Sequence, residues 1–188
     1  MLISYDSVSR SSWLERLPKT NKLIFRKMKF ELLKGYNIVG DGTPAALIPI
    51  YTGQTEEELP NVLKNNPNAR YVDEAYPFIW KELHIKGYIS IHLEDWPQAS
   101  AFNYRMKGFS NQTCHHFYKH YQLKLEAFKI EKKVNRKNDD FCIGAKKRHK
   151  VLIDLMTQFK IEYNKIANNL IIMHYVENSH NTNETSLS

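Results

Sequence analysis

The sequence predicts an α/β fold built on a largely parallel sheet, on the strength of three observations. Short apolar runs with strand character occur singly, at Leu2–Tyr5, Tyr88–Leu93 and Leu170–Val176. Stretches with helix start and stop chemistry separate them, which is the pattern that produces parallel crossovers. Each run ends at polar or acidic residues, namely Asp6, Glu94-Asp95 and Glu177–His180, and open α/β sheets gather their sites at the carboxyl ends of strands.

Leu2–Tyr5 reads as a short buried strand. Ser9 or Ser12 then caps a helix carrying Trp13, Leu14 and Leu17 as far as Pro18. Met28–Leu33 and Tyr36–Val39 have strand character interrupted at Gly35, and Gly40-Asp41-Gly42 makes a turn. Thr43-Pro44 predicts a helix with Thr43 as its N-cap, because a hydroxyl there satisfies a free amide and proline suits the first helical position. Pro49 should kink or shorten that helix, since it has no amide to donate. Thr55-Glu56-Glu57-Glu58 is a capping box that predicts another short helix, and Asn65–Asn68 is loop. Pro77–Gly87 predicts a helix with Phe78, Ile79 and Leu83 on one side and Gly87 as its terminator, leading into the strand Tyr88–Leu93. After a basic loop, Lys146–Tyr163 is strongly periodic, with Leu152, Leu155, Phe159 and Ile166 spaced for one buried face ahead of the closing strand. No internal repeat or second domain interrupts this: residues 1–180 read as one unit and residues 181–188 as a polar tail.

The 188 residues, 42% hydrophobic and 12% aromatic, suffice for one core and exclude wholesale disorder. A balance of 27 Lys+Arg against 20 Asp+Glu favours an anionic ligand. Nine of those cations lie between Lys129 and Lys150 against three acids, and the lone Phe141 among them makes no aromatic stacking platform. That run reads as a solvated face rather than a nucleic-acid surface. Cys114 and Cys142 permit one disulfide but make no framework and no Cys-x-x-Cys pair. The triplets Asn111-Gln112-Thr113 and Asn183-Glu184-Thr185 are glycosylation acceptors only in a secreted chain. No export signal is visible, and the longest apolar runs, Ala45–Tyr51 and Leu170–Met173, fall far short of the ~20 residues that span a bilayer.

The chemistry centres on Asp6 and Thr43. A carboxylate at a strand end is a hard ligand for a divalent cation, and a threonine hydroxyl at a helix N-terminus is favoured as an alkoxide by the dipole and an adjacent metal. The amides of the same helix end suit a tetrahedral anion, such as phosphate and sulfate esters carry. The plainer alternative makes both residues helix caps, and on these residues alone it stays open.

Asp6-Ser7-Val8-Ser9-Arg10, Leu17-Pro18-Lys19-Thr20, the run Lys34–Pro44 and Thr52-Gly53 are followed in order by Tyr76–Trp80, Gly87-Tyr88, Glu94-Asp95, Phe102–Arg105, Gly108-Phe109, Cys142–Gly144 and Ser179-His180. Together they resemble an animal family of unknown function within the alkaline-phosphatase/sulfatase superfamily, from Leu2 to about His180. The resemblance implies the amino-terminal part of an αβα sandwich, incomplete in this chain, and a metal-dependent hydrolase of phosphate-type, less so sulfate, esters. In that superfamily an Asp ending the first strand binds metal, and a Thr, Ser or modified Cys a fixed distance before a Thr-Gly pair is the nucleophile. Counting back from Thr52-Gly53 puts Thr43 there, whereas alignment on the proline puts Gly42 there, which has nothing to attack with. No cysteine occupies the position, so the formylglycine of true sulfatases is excluded.

The implied site has Thr43 as nucleophile and metal ligand, Asp6 and His180 as metal ligands, and Gly42, Glu94 and Asp95 in contact with substrate. Related sulfatases carry basic residues where Glu94-Asp95 stands, so the acidic pair suits a hydroxyl-rich or cationic substrate. Around His115–His120 only His116 keeps the family pattern, and that loop is not counted as a metal site. A divalent metal of zinc or calcium type is implied for the complete domain. The Asp-His-Gly segment of the superfamily's second half occurs nowhere in this sequence. The expectation is therefore a chain inactive by itself and holding no metal, with a non-catalytic anion- or glycan-binding module as the alternative. The implied partner is an anionic ester or glycan, not nucleic acid. The implied location is the secretory pathway or the cell exterior, with Cys142 paired to Cys114 or to a cysteine outside this sequence.

Overall fold

The computed structural model describes residues 1–97, 100–131, 142–176 and 179. Among these, the main sheet has four parallel strands: β1 (Leu2–Tyr5), β2 (Ile89–Glu94), β3 (His116–Phe117) and β6 (Asn169–Tyr175), in the order β1-β6-β2-β3. A small antiparallel pair, β4 (Cys142–Ile143) and β5 (Lys146–Lys147), stands apart. Helices cover both faces, as an incomplete α/β sandwich requires, because parallel strands joined by crossovers must bury both sides.

Strand alternation sorts the residues of the sheet into two faces. On one face Leu2, Leu170 and Ile172 pack with Leu47, Ile48 and Tyr51 of α3 (Thr43–Thr52) and with Phe78 and Trp80 around α5 (Ile79–Ile85). The rings of Phe78 and Trp80 stack at 4.0 Å. On the other face Ile91, Leu93, Ile171, Met173 and Tyr175 pack with Leu152 and Phe159 of α7 (Arg148–Tyr163). Ile166 lies beyond the end of α7 and is 72% exposed, so the predicted apolar stripe stops at Phe159.

Local chemistry explains most of the boundaries. Ser9 caps α1 (Arg10–Arg16) by accepting from the Ser12 amide at 3.1 Å. Pro18, predicted as a stop, instead starts a new turn, α2 (Pro18–Asn21), which runs into a π-helical turn at Lys22–Lys27. Met28–Leu33 and Tyr36–Val39 do not become strands. Their apolar character is real, but no neighbouring strand supplies the ladder bonds an extended segment needs.

The Thr55 capping box forms, with the Thr55 amide donating to Glu58 Oε2 at 2.7 Å. Only a turn follows it, because Pro60 disfavours helical geometry at Leu59. Pro49 does not stop α3: the helix runs on to Thr52 and closes on Gly53, left-handed at φ 74°. The short α4 (Val72–Ala75) precedes α5, which ends as predicted before Gly87 at φ 78°. β3 and α6 (Lys119–Glu131) arise where the sequence reading placed only a histidine-rich loop.

Candidate functional site

β1 ends against β6, and the Asp6 amide donates to Tyr175 O at 2.7 Å, so Asp6 is held one residue past the strand. Ser7 then takes φ 53°, turning the chain sharply away and leaving the Asp6 carboxylate at the sheet's carboxyl edge. The N-terminus of α3 meets it there. Gly42, at φ 89° and ψ 163°, is the N-cap, and Thr43 is the first helical residue rather than the predicted cap. Its hydroxyl is therefore not used on its own helix: Thr43 Oγ1 donates to Asp6 Oδ1 at 3.0 Å. The first amide of α3 to bond backwards is that of Ala46, to Gly42 O at 3.1 Å. The amides of Thr43 and Ala45 precede that bond and Pro44 has none, which leaves a donor-rich helix mouth.

Two clefts meet at this pair. One, of about 750 Å³, is lined by Asp6, Gly42 and Thr43 together with Pro44, Trp96, Ala101, Tyr104, Arg105 and Val176. The other, of about 660 Å³, shares Asp6, Asp41, Gly42 and Thr43 and reaches Ser4, Tyr36 and His174.

Glu94 and Asp95 are buried rather than solvated, being 5% and 1% exposed. Glu94 Oε1 accepts from the Ala101 amide at 3.1 Å, and Asp95 Oδ1 accepts from the Val176 amide at 2.8 Å. Both acceptors fix residues that line the larger cleft, so the acidic pair supports the cleft wall from behind. Charge at such depth is costly. Burial pushes the Glu94 carboxyl up, against the lowering influence of His174, the Ala101 amide, Lys119 and Ser100.

His92 lies 3.7 Å from Glu94 (Nε2 to Oε1), a spacing that suggests an ion pair. Burial, with Lys119 adding to it, pushes the imidazole down to about 4, so at neutral pH His92 is uncharged and the contact is not ionic. His174 is 3% exposed and its pKa is also lowered by burial, against the carboxylates of Glu94 and Asp6. Its Nδ1 meets Ser4 Oγ at 2.8 Å, while Nε2 has no partner among the described residues.

The structure thus joins Asp6, Gly42 and Thr43 and places Glu94-Asp95 behind them. His180 lies outside the described residues. Trp96, Tyr104, Arg105 and His174 escape the sequence reading as site residues. For His174 a signal existed, since a histidine inside an otherwise apolar strand needs a reason.

The histidine loop is engaged elsewhere: His115 Nδ1 meets Ser90 Oγ at 3.1 Å and His116 Nε2 meets the Tyr163 hydroxyl at 2.9 Å. Among the described residues no three His, Cys, Asp or Glu side chains gather into a group that could hold a metal. Cys114 and Cys142 are both free thiols, unpaired with one another, and burial pushes the Cys114 thiol up to about 11. Among the described residues no helix is long and apolar enough to cross a membrane.

A family model described as protein of unknown function (DUF229) matches residues 1–185. No curated protein and no solved structure matches the chain.

Proposed function

The chain belongs to the DUF229 family, and from that premise we propose that it presents the nucleophile end of a sulfatase-like site for phosphate-type esters. The observation that carries this reading is the Thr43 Oγ1 to Asp6 Oδ1 hydrogen bond, 3.0 Å long, at the mouth of α3. A threonine that merely capped its helix would bond to its own backbone, whereas this hydroxyl has a carboxylate acceptor and a clear approach from the cleft. The ester anion would rest on the amides of Thr43 and Ala45, where the helix dipole favours negative charge. Asp6 would accept the hydroxyl proton as Oγ1 bonds to phosphorus and the bond to the leaving alcohol breaks, giving a phosphothreonine for later hydrolysis.

In the superfamily a divalent cation supplies the charge stabilisation for this displacement, and here Asp6 and Thr43 would contribute oxygens to it. They do not make a complete set: the described residues add no third carboxylate, thiolate or imidazole to the group. Two oxygens are too few to clamp both the attacking and the leaving oxygen, so no step is routed through a cation. The proposal accordingly stops at anion capture for the 188-residue chain alone. The same shortage favours the second reading, a non-catalytic anion- or glycan-binding module. A secretory or extracellular location accompanies either reading by family resemblance.

Titration of the labelled chain with inorganic phosphate tests the site by NMR. Amide shifts centred on Gly42, Thr43 and Ala45, weakened in Thr43→Val, are expected, and shifts scattered along Lys146–Lys150 would sink the reading. Mass spectrometry after exposure to an aryl phosphate and a divalent cation checks where capture ends: no phosphate on Thr43 is expected of this chain by itself, and phosphothreonine would overturn the limit to anion capture.

A further inference from the structure

Resting on the phosphate-ester reading above, we propose that the larger cleft takes esters whose leaving group is a planar aromatic ring, and that Tyr104 is the residue that selects for it. At about 750 Å³ the cleft is of a size to enclose a whole small-molecule ligand, yet the anion itself needs only the Gly42–Thr43 end. Away from Thr43 the lining is mainly apolar and aromatic, through Pro44, Trp96, Ala101, Tyr104 and Val176, with Ser100 as the polar exception, itself hydrogen-bonded to Glu94. A hydroxyl-rich leaving group would need polar partners along that wall. The carboxylates assigned to such a role by sequence, Glu94 and Asp95, instead accept from the Ala101 and Val176 amides. They hold two residues of that wall in place, and neither carboxylate is among the residues that line the cleft.

Tyr104 itself is 78% exposed, while its neighbours Phe102 and Met106 are fully buried. The backbone beside it is tied to the segment around Leu63: the Lys64 amide donates to Arg105 O at 3.2 Å and the Lys107 amide to Val62 O at 3.0 Å. A large ring is therefore displayed to solvent from a fixed backbone at the edge of a cleft. Such a ring loses little conformational freedom on contact with a ligand. Arg105 lines the same cleft, but its guanidinium already donates to Glu56 Oε2 at 2.6 Å, so the cleft does not call for a second anionic group on the ligand.

Calorimetry on the full chain with phenyl phosphate, glucose phosphate and inorganic phosphate tests this. Phenyl phosphate is expected to bind roughly tenfold tighter than inorganic phosphate, the scale of one aromatic contact. In Tyr104→Ala that ratio should fall to about one, with an unchanged circular dichroism spectrum, while Tyr104→Phe keeps it. Glucose phosphate binding as tightly as phenyl phosphate, or a ratio untouched in Tyr104→Ala, overturns the proposal. Phosphate binding with no aryl preference overturns this inference alone, whereas failure of all three ligands to bind overturns the phosphate-ester reading with it.

Discussion

His92 makes the stability of this fold depend on pH in a direction that can be worked out. It is fully buried between Trp80, Phe117 and Glu94, with Lys119 and His174 as the other charged or titratable neighbours. Burial pushes its pKa from 6.5 down to about 4, so the unfolded chain binds a proton that the native chain refuses throughout that window. Stability from this residue is complete above 6.5 and is lost as pH falls towards 4. The full shift corresponds to about 3 kcal/mol, and about 2 kcal/mol of it is lost between about pH 7 and about pH 5. His174 acts in the same direction, its pKa also being lowered.

Glu94 opposes both: its raised pKa gives a contribution present below about 4.5 and lost as pH rises through the raised value. The wild-type slope is therefore a difference, and the His92 part is isolated by comparing urea midpoints of wild type and His92→Gln at the two pH values. Wild type should lose about 2 kcal/mol more than the variant on acidification, about 1 M in urea midpoint. Equal losses in the two proteins would mean that His92 protonates at its ordinary value, and the buried, neutral imidazole would have to be given up.

Three further outcomes follow from the same geometry. Asp95→Ala leaves the buried Val176 amide without its acceptor and should cost about 1–3 kcal/mol in urea denaturation, while Asp95→Asn, which keeps Oδ1, should cost well under half of that; equal losses would show that the bond to Val176 is not what Asp95 contributes. Gly42→Ala forces a side chain onto a backbone at φ 89° and should lose about 1–3 kcal/mol together with phosphate affinity at the α3 mouth; a neutral substitution would mean that the left-handed turn can relax. Asn111 is exposed and followed two residues later by Thr113, so expression behind a secretion signal should add a glycan that Asn111→Gln abolishes; an unmodified secreted chain would show that this triplet is not an acceptor.

The long strands and the α3 mouth are legible in the sequence because each rests on local chemistry: an apolar run bounded by turn residues, a proline near a helix start, a glycine at its end. What is not legible depends on neighbours. Met28–Val39 has the composition of strands and lacks only a partner. Thr43 reads as a cap and is instead an inward-facing donor, because Gly42 takes the capping geometry and Asp6, 37 residues earlier in the chain, supplies the acceptor. Glu94-Asp95 reads as a solvated or substrate-facing pair, since acids at a strand end usually are; only the return of the 100–101 and 176 backbones across them makes them internal acceptors. Tyr104 and Arg105 carry no local signal of a site, and the cleft they line exists only in three dimensions.

The two faces of the sheet show where stability has been given up. β2 alternates Ile89-Ser90-Ile91-His92-Leu93-Glu94, a pattern that in an ordinary half-buried strand puts its polar residues in water. Here the polar side is also buried: Ser90, His92 and Glu94 lie beneath helices, and Ser4 and His174 join them on adjacent strands in register with Glu94. The opposite face, made of Ile91, Leu93, Ile171, Met173 and Tyr175 against α7, is apolar apart from the Tyr175 hydroxyl and would fold as well without any of these groups. A core chosen for stability alone would continue that pattern, because each buried polar atom left without a partner, such as His92 Nδ1 and His174 Nε2, costs about 1–3 kcal/mol. The polar residues gather on the side that carries α3, and His174 and Ser4 reach the cleft shared with Thr43 and Asp6. Local breaches of the stability rules concentrate where a fold has been fitted to a ligand. The carboxyl end of that row, Ser4 and His174, therefore opens on the same mouth as Thr43 and Asp6, whereas Ser90 at the other end of β2 is satisfied by His84 and His115.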